Sequence, residues 1–266
     1  MNTPVWNQYL EWFAGLRADA FQNVPAKHSV RKFCVIVEPR QHPNLIPVIK
    51  NFMFLLQHTG WGLIVYHGPD NEKFVKDGLK DTISDEYVHY VRMTQRNLTT
   101  AEYSAMLGNP TFWQCMLDGF KCEYALIFQC DTLLLKGGDV VDSFLKYDYV
   151  GAPWADDDTQ IVAGLSSYNH NIRLDVGNGG LSLRNVRVML AITRNHPYPA
   201  EFNVPEDVYF SYWLKVHQAV YWVPNRQEAS EFAMEHVYNR DTSGLHAPSH
   251  NVAEIIMAAM KENNME

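Results

Sequence analysis

The chain has 266 residues, 47% hydrophobic and 20% charged, enough to bury one large core or two intimate ones, which excludes disorder as the main theme. Subtracting 30 acidic from 22 basic side chains leaves a net charge of -8, and no Lys/Arg cluster stands out, so nucleic acid is excluded as a partner. No run reaches the roughly 18 to 20 apolar residues of a transmembrane helix, and Met1–Phe21 is broken by Asn7, Glu11, Arg17 and Asp19, unlike a secretory signal, so a soluble, cytoplasmic protein is expected.

From Val5 to Phe21 apolar residues recur at helical spacing (Trp6, Tyr9, Leu10, Phe13, Leu16, Ala20), which predicts an amphipathic helix, an extension packed on the body. Lys32–Val37 (KFCVIV) is a short apolar run rich in β-branched residues before Pro39 and reads as a strand buried on both faces. Glu38-Pro39-Arg40 is then its carboxyl-end loop. Asn44–His58 has the length and period of a helix, with Pro47 in its first turn and Gly60 as its stop. A strand over Gly62–Tyr66, a helix over Asn71–Leu79 and an extended piece over Val88–Met93 follow. Short helices near Thr100–Leu107 and Pro110–Leu117 lead to another buried strand, Tyr124–Phe128.

The second half is less regular: Tyr149–Pro153 extended, a polar loop over Ala155–Asn171, a strand over Gly180–Leu183, and helices near Val186–Asn195 and Pro205–Val216. This alternation predicts an α/β fold with a mainly parallel central sheet flanked by helices, in which ligands gather beyond the carboxyl ends of the strands. The expected division is a helical extension over 1–30, a main domain over 31–250 that changes character near Tyr147, and a helix or tail over 251–266.

Cys34, Cys115, Cys122 and Cys130 show no C-x-x-C pair and read as reduced, mostly buried thiols. Asn97-Leu98-Thr99 matches the glycosylation sequon but carries no weight without an export signal. Asp131 follows the strand Tyr124–Phe128, at the sheet edge where a metal-diphosphate would sit; a carboxylate there suits Mg²⁺ or Mn²⁺, and a turn cap is the equal alternative. Gly177-Asn178-Gly179-Gly180 allows close backbone approach to a sugar or phosphate, with Arg184 as a nearby cation, although a tight turn explains it better by itself. Pro205-Glu206-Asp207-Val208 is a helix start with acidic residues matching the macrodipole, and either carboxylate has the chemistry of a general base. His246 and His250 lie in a loop; a histidine binding beside Asp131 would tilt the metal preference toward Mn²⁺.

Taken in order, Val35–Arg40, His67-Gly68, Leu126–Asp131, Tyr149–Trp154, Val176–Arg184, Glu206-Asp207-Val208 and Gly244-Leu245-His246 resemble the DUF5672-type glycosyltransferase-like family of giant viruses, bacteria and fungi, related to GT-A-fold transferases. The resemblance runs from about Arg31 to His246. It implies a GT-A-like single domain, with a nucleotide-binding half over about 31–147 and an acceptor half over about 148–250. It also implies a nucleotide-sugar donor, a UDP-sugar foremost, and a Mn²⁺ or Mg²⁺ ion at a degenerate D-x-D position. Gln129 replaces the first aspartate of that motif, leaving Asp131 as its only carboxylate, and His246 matches the histidine that completes the metal shell.

The Glu206-Asp207-Val208 motif is similar to the signature of inverting β-1,3-type transferases, which makes Asp207 the base and Glu206 an orienting or acceptor-binding neighbour. The same likeness puts Val37, Glu38, Pro39 and Arg40 at the base and ribose of the donor, with His67 a weaker contact, Gln129 and Asp131 near its diphosphate, and Gly179, Gly180 and Trp154 against its sugar. Trp113 and Trp154 are equally readable as core. The acceptor implied is a hydroxyl of a glycan or another molecule. Two other functions stay open: a sugar nucleotidyltransferase, which wants a Gly-rich basic loop after the first strand where Glu38-Pro39-Arg40-Gln41-His42 stands, and a catalytically silent binding domain, which Gln129 favours.

Overall fold

The computed structural model describes residues 4–155 and 172–265; the expected polar loop, apart from Ala155, lies outside them. Among the described residues eight strands form: β1 (Lys32–Val37), β2 (Trp61–His67), β3 (Val88–Arg92), β4 (Tyr124–Phe128), β5 (Thr132–Leu134), β6 (Tyr149–Pro153), β7 (Val176–Asn185) and β8 (Gly244–His246). Six of them make one sheet in the order β3-β2-β1-β4-β7-β6. β1 pairs parallel with β2 and β4, and β2 with β3. β7 runs antiparallel to both its neighbours, so five of the six strands point the same way and the sheet is mainly parallel.

Alternate residues of the central strands face opposite sides, and each side has its own core. Cys34, Ile36, Leu63, Val65, Leu126 and Phe128 pack with the helix Leu45–Leu56. Phe33, Val35, Ile64, Ala125 and Ile127 pack with Trp113, Met189 and Phe210 from the helices of the other face. Burial on both faces is why these strands read as continuous apolar runs.

The first helix stops at Ala14, and a separate 3-10 turn covers Ala18–Phe21, so the single helix predicted to Phe21 is two pieces. The first helix packs on the body. Trp6, Tyr9, Leu10 and Phe13 are buried in the core containing β1 and β4, and Tyr9 donates its hydroxyl proton to the Leu134 carbonyl at 2.8 Å. The C-terminal helix Ala253–Glu262 buries Ile255, Ile256 and Ala259 in the same core.

Two segments of the site differ from expectation. Gly177–Gly180 is the start of the long strand β7, not a tight turn. Gly151 faces Ser182 while its neighbour Ala152 already faces Asn178, so Gly179, Gly180 and Leu181 are extra residues in a bulge, a device that re-aims a strand locally. Gly244–His246 is likewise not a loop: it pairs with β5, with Thr132 opposite His246.

Candidate active site

Beyond the carboxyl ends of β1 and β4 lies a cavity of about 420 Å³. Val37, Glu38, Pro39, Arg40, Gln129 and Asp131 all line it, so the expected donor residues of the first half come together except His67. Glu38 is buried and clamped by Arg40: Oε1 accepts from the Arg40 backbone N–H at 2.9 Å and from Nε at 2.8 Å, and Oε2 from Nη2 at 2.8 Å. Burial pushes the Glu38 carboxyl up, but these hydrogen bonds and the Arg40 charge outweigh it and hold the group below its ordinary value. Asn71, fully buried, fixes the loop from below. Its amide nitrogen donates to the carbonyls of Glu38 at 2.8 Å and Arg40 at 2.7 Å, and its oxygen accepts the Gly68 N–H at 2.8 Å.

The other wall comes from residues that sequence reasoning passed over: Asn97, Leu98, Thr99, Thr100 and Tyr103, with His42 beside Arg40. The sequon-like triplet serves a structural end. Thr99 caps the helix Thr100–Leu107 in a reciprocal capping box with Glu102, and this T-x-x-E spacing was the signal that could have found it. Tyr103 joins the cavity to the acidic motif. Burial first, and the Glu206 charge next, raise its hydroxyl pKa, while the Arg184 charge and the Gln129 side chain oppose them.

Asp131 stands at the rim with its side chain half exposed, and Oδ1 lies 3.7 Å from Nε2 of His246. The β5–β8 ladder brings the two together, for Ala247 also donates its N–H to the Asp131 carbonyl at 3.0 Å. His246 is buried, and its Nδ1 lies 3.4 Å from Oε2 of Glu235, an ion-pair distance without hydrogen-bond alignment. Burial disfavours its charged form, but the carboxylates of Glu235, Asp131 and Asp207 outweigh that and raise its pKa. A Cβ on Gly180 would collide with this imidazole, so glycine is what leaves Nε2 its space. His250 is exposed, with Nε2 2.7 Å from the His236 carbonyl oxygen, and has no part here.

These residues fit a hard divalent cation. Among the described residues no group of three or more His, Cys, Asp or Glu is arranged to hold a metal, but Mg²⁺-type ions use one or two protein ligands and complete their shell with phosphate and water. Asp131 and His246 supply an oxygen and a nitrogen of that kind, and a carboxylate behind the second imidazole nitrogen is the usual orienting partner of a metal-binding histidine.

Asp207 lies in the first turn of the helix Glu206–Val216. Its Oδ2 accepts the Gly179 N–H at 3.0 Å and its Oδ1 the Val208 N–H at 2.8 Å. Burial above all, then the Glu206 charge, push its pKa up to about 7 against the lowering effect of these hydrogen bonds and Arg184. Glu206 has a different occupation. Arg184, fully buried, donates from Nη1 to Oε2 at 2.6 Å and from Nη2 to Oε1 at 2.8 Å, and its guanidinium also lies over the Tyr149 ring at 4.8 Å. Arg184 is therefore not the cation offered to a ligand that the sequence suggested, and both oxygens of Glu206 are engaged by it.

Gly179 abuts Glu206, Asp207 and Arg184, which accounts for its lack of a side chain by close approach. Trp154 and Trp113 are buried in the core, the alternative reading of both. His67 is buried, its Nδ1 2.9 Å from the Gly68 carbonyl oxygen, and is not among the walls of the cavity. Cys34, Cys122 and Cys130 are buried free thiols and Cys115 is exposed.

A model of the family described as a protein of unknown function (DUF5672) matches residues 88–247. The chain belongs to this family. No curated protein matches it. Among solved structures, the WbbM bifunctional glycosyltransferase is similar with a TM-score of 0.53 and 10% identity, over 87% of this chain and 50% of that one; the chain thus spans half of WbbM. The mannosyltransferase PcManGT from Pyrobaculum calidifontis, in complex with GDP-Man and Mn²⁺, gives 0.49 and 12% over 99% and 71%. The mannosyltransferase Ktr4p from S. cerevisiae, in complex with GDP, gives 0.49 and 10% over 92% and 80%. This DUF5672 chain has the α/β fold of GT-A glycosyltransferases, with its mainly parallel sheet flanked by helices. Among the described residues no helix is long and apolar enough to cross a membrane.

Proposed function

We propose that the chain is an inverting glycosyltransferase that moves a sugar from a nucleoside diphosphate sugar to a hydroxyl of a glycan or similar acceptor. In this reading residues of about 31–147 bind the donor and those of about 148–250 the acceptor. One observation carries it. The half-exposed carboxylate of Asp131, with the His246 imidazole 3.7 Å away, stands on the rim of a cavity at the carboxyl edge of the sheet, with Asp207 held nearby by the Gly179 backbone.

Arg40, locked by Glu38, would face the nucleotide with one edge of its guanidinium, and the wall from Asn97 to Tyr103 would cover it. Asp131 and His246 would hold Mn²⁺ or Mg²⁺, which when bound supplies Lewis-acid stabilisation of the departing diphosphate. Asp207 would take the proton of the acceptor hydroxyl as its oxygen attacks the anomeric carbon. A pKa of about 7 suits that task, because a base close to the working pH is both deprotonated and proton-seeking. Glu206 and Arg184 act as positioning residues, neutralising each other behind Asp207. The sugar passes through an oxocarbenium-like state and no covalent intermediate is needed.

The donor we propose is a UDP-sugar, with GDP-sugars as the competing class. Calorimetry with UDP and GDP, each with and without Mn²⁺, tests it. The expected result is metal-dependent binding of one nucleotide, lost in Asp131→Ala and weakened in His246→Ala. Binding of neither nucleotide under any condition would leave the reading without a donor. Asp207→Asn is expected to keep nucleotide binding while abolishing transfer from the matching nucleotide sugar.

A further inference from the structure

Asp207 lies in the first turn of the helix Glu206–Val216, and Ser211 and Lys215 follow at four-residue intervals, so the three share one helix face. That face runs along the start of β7. Asp207 receives the Gly179 N–H, and a side chain on Gly177 would collide with the Ser211 hydroxyl. Further along opens a cavity of about 580 Å³ that Ser211, Lys215 and Trp222 line.

Two of its features point to a ligand, although the Trp222 ring also meets the Tyr147 ring edge-on at 6.4 Å. Ser211 is 6% exposed and its Oγ has no hydrogen-bond partner, a condition folded chains avoid unless a ligand or water completes it. Trp222 is 66% exposed on a backbone pinned at both polar atoms: its N–H donates to Asp148 Oδ2 at 2.9 Å, and its carbonyl accepts the Asp148 N–H at 2.7 Å. A large ring held in water on a fixed backbone is a surface made for contact.

We propose that this cavity binds the body of a neutral acceptor oligosaccharide whose terminal hydroxyl reaches Asp207; the assignment rests on the transferase reading above. A pyranose ring has an apolar C–H face that matches an indole and a rim of hydroxyls that matches Ser211 and Lys215. The charged residues of the walls include Asp175 as well as Lys215 and Arg226, so a polyanion finds no uniform cationic field. A rise of 1.5 Å per residue puts Ser211 about 6 Å and Lys215 about 12 Å along the helix from Asp207. Spanning that distance takes more than one sugar ring, so the site prefers oligosaccharides over monosaccharides.

The test applies the full chain to an array of neutral oligosaccharides, α- and β-linked hexoses, N-acetylhexosamines and deoxyhexoses, beside the matching monosaccharides. At least one oligosaccharide is expected to be retained, about tenfold more tightly than its monosaccharide, and Trp222→Ala to weaken it about tenfold. Ser211→Ala is expected to weaken it too without lowering the melting temperature, because that hydroxyl has no partner to lose. Val220→Ser, at a side chain 76% exposed and outside the cavity walls, is expected to bind as the native chain does. Retention of no oligosaccharide, or native binding by both Trp222→Ala and Ser211→Ala, overturns the assignment. Nucleotide calorimetry on the same preparation separates the two readings: nucleotide bound with no glycan retained removes this site alone, and glycan retained with no nucleotide bound removes the transferase.

Discussion

Asp207 is the residue whose protonation should be visible in the kinetics. As the proposed base, Asp207 must be deprotonated to accept a proton, so with a pKa of about 7 the proposed transfer should slow about tenfold per pH unit below neutrality and level off above it. An acid limb near pH 4 would mean that burial does not act on this carboxyl as described. The same shift has a stability consequence. The ordinary Asp value is 3.8, so between that and about 7 the folded chain holds a proton the unfolded chain has lost, and stability falls as pH rises through the window. Asp207→Asn should flatten that slope in melting curves taken from pH 4 to 7. Arg184 makes a different kind of prediction. Its pair with Glu206 has side-chain exposures of 0% and 5%, and Arg184→Met strands a buried carboxylate, which costs about 3–5 kcal/mol in denaturant unfolding. Glu206→Gln, which leaves a buried cation with a neutral acceptor, should be destabilising but less so.

The bulge of β7 is the element on which the site turns. Gly180→Ala would drive a methyl group into the His246 imidazole, so the proposed metal-dependent nucleotide binding should be lost in calorimetry while circular dichroism stays native. Whether such an element can be read from sequence depends on whether its cause is local. β1 and β4 were legible to the residue because two-sided burial writes continuous apolar runs, KFCVIV and YALIF. Asp131 followed from the rule that ligands sit past strand ends, whereas Val37–Arg40 and Gln129 were placed at the donor by the family likeness. The bulge was not legible, since consecutive glycines serve a turn equally well and only the approach of Asp207 and His246 decides between them. Arg184 misled for the same reason: nothing local to it announces that Glu206 comes to meet it. Trp154 was undecidable, because a tryptophan that stacks on sugar and one that fills a core are the same residue. The capping box at Thr99–Glu102, by contrast, was local and readable, and it was hidden only by the better-known sequon laid over it.

At the scale of the whole molecule, the two terminal helices belong to the core. Burying Trp6, Tyr9, Leu10 and Phe13 contributes about 1.5–3 kcal/mol for each side chain, together comparable with the 5–15 kcal/mol net stability of an ordinary domain. Removal of residues 1–30 should therefore yield an aggregating chain rather than a shortened active one, as gel filtration of the truncated protein would reveal. The β5–β8 ladder extends this interdependence in time. The partners it joins lie in opposite halves of the chain, and the loop between them includes β6, β7 and the Asp207 helix. A nascent chain on the ribosome can already present Asp131 while the imidazole that faces it is still unmade. Synthesis must pass β8 before the proposed cation seat can be assembled, so a half-translated polypeptide holds only one of its two proposed ligands.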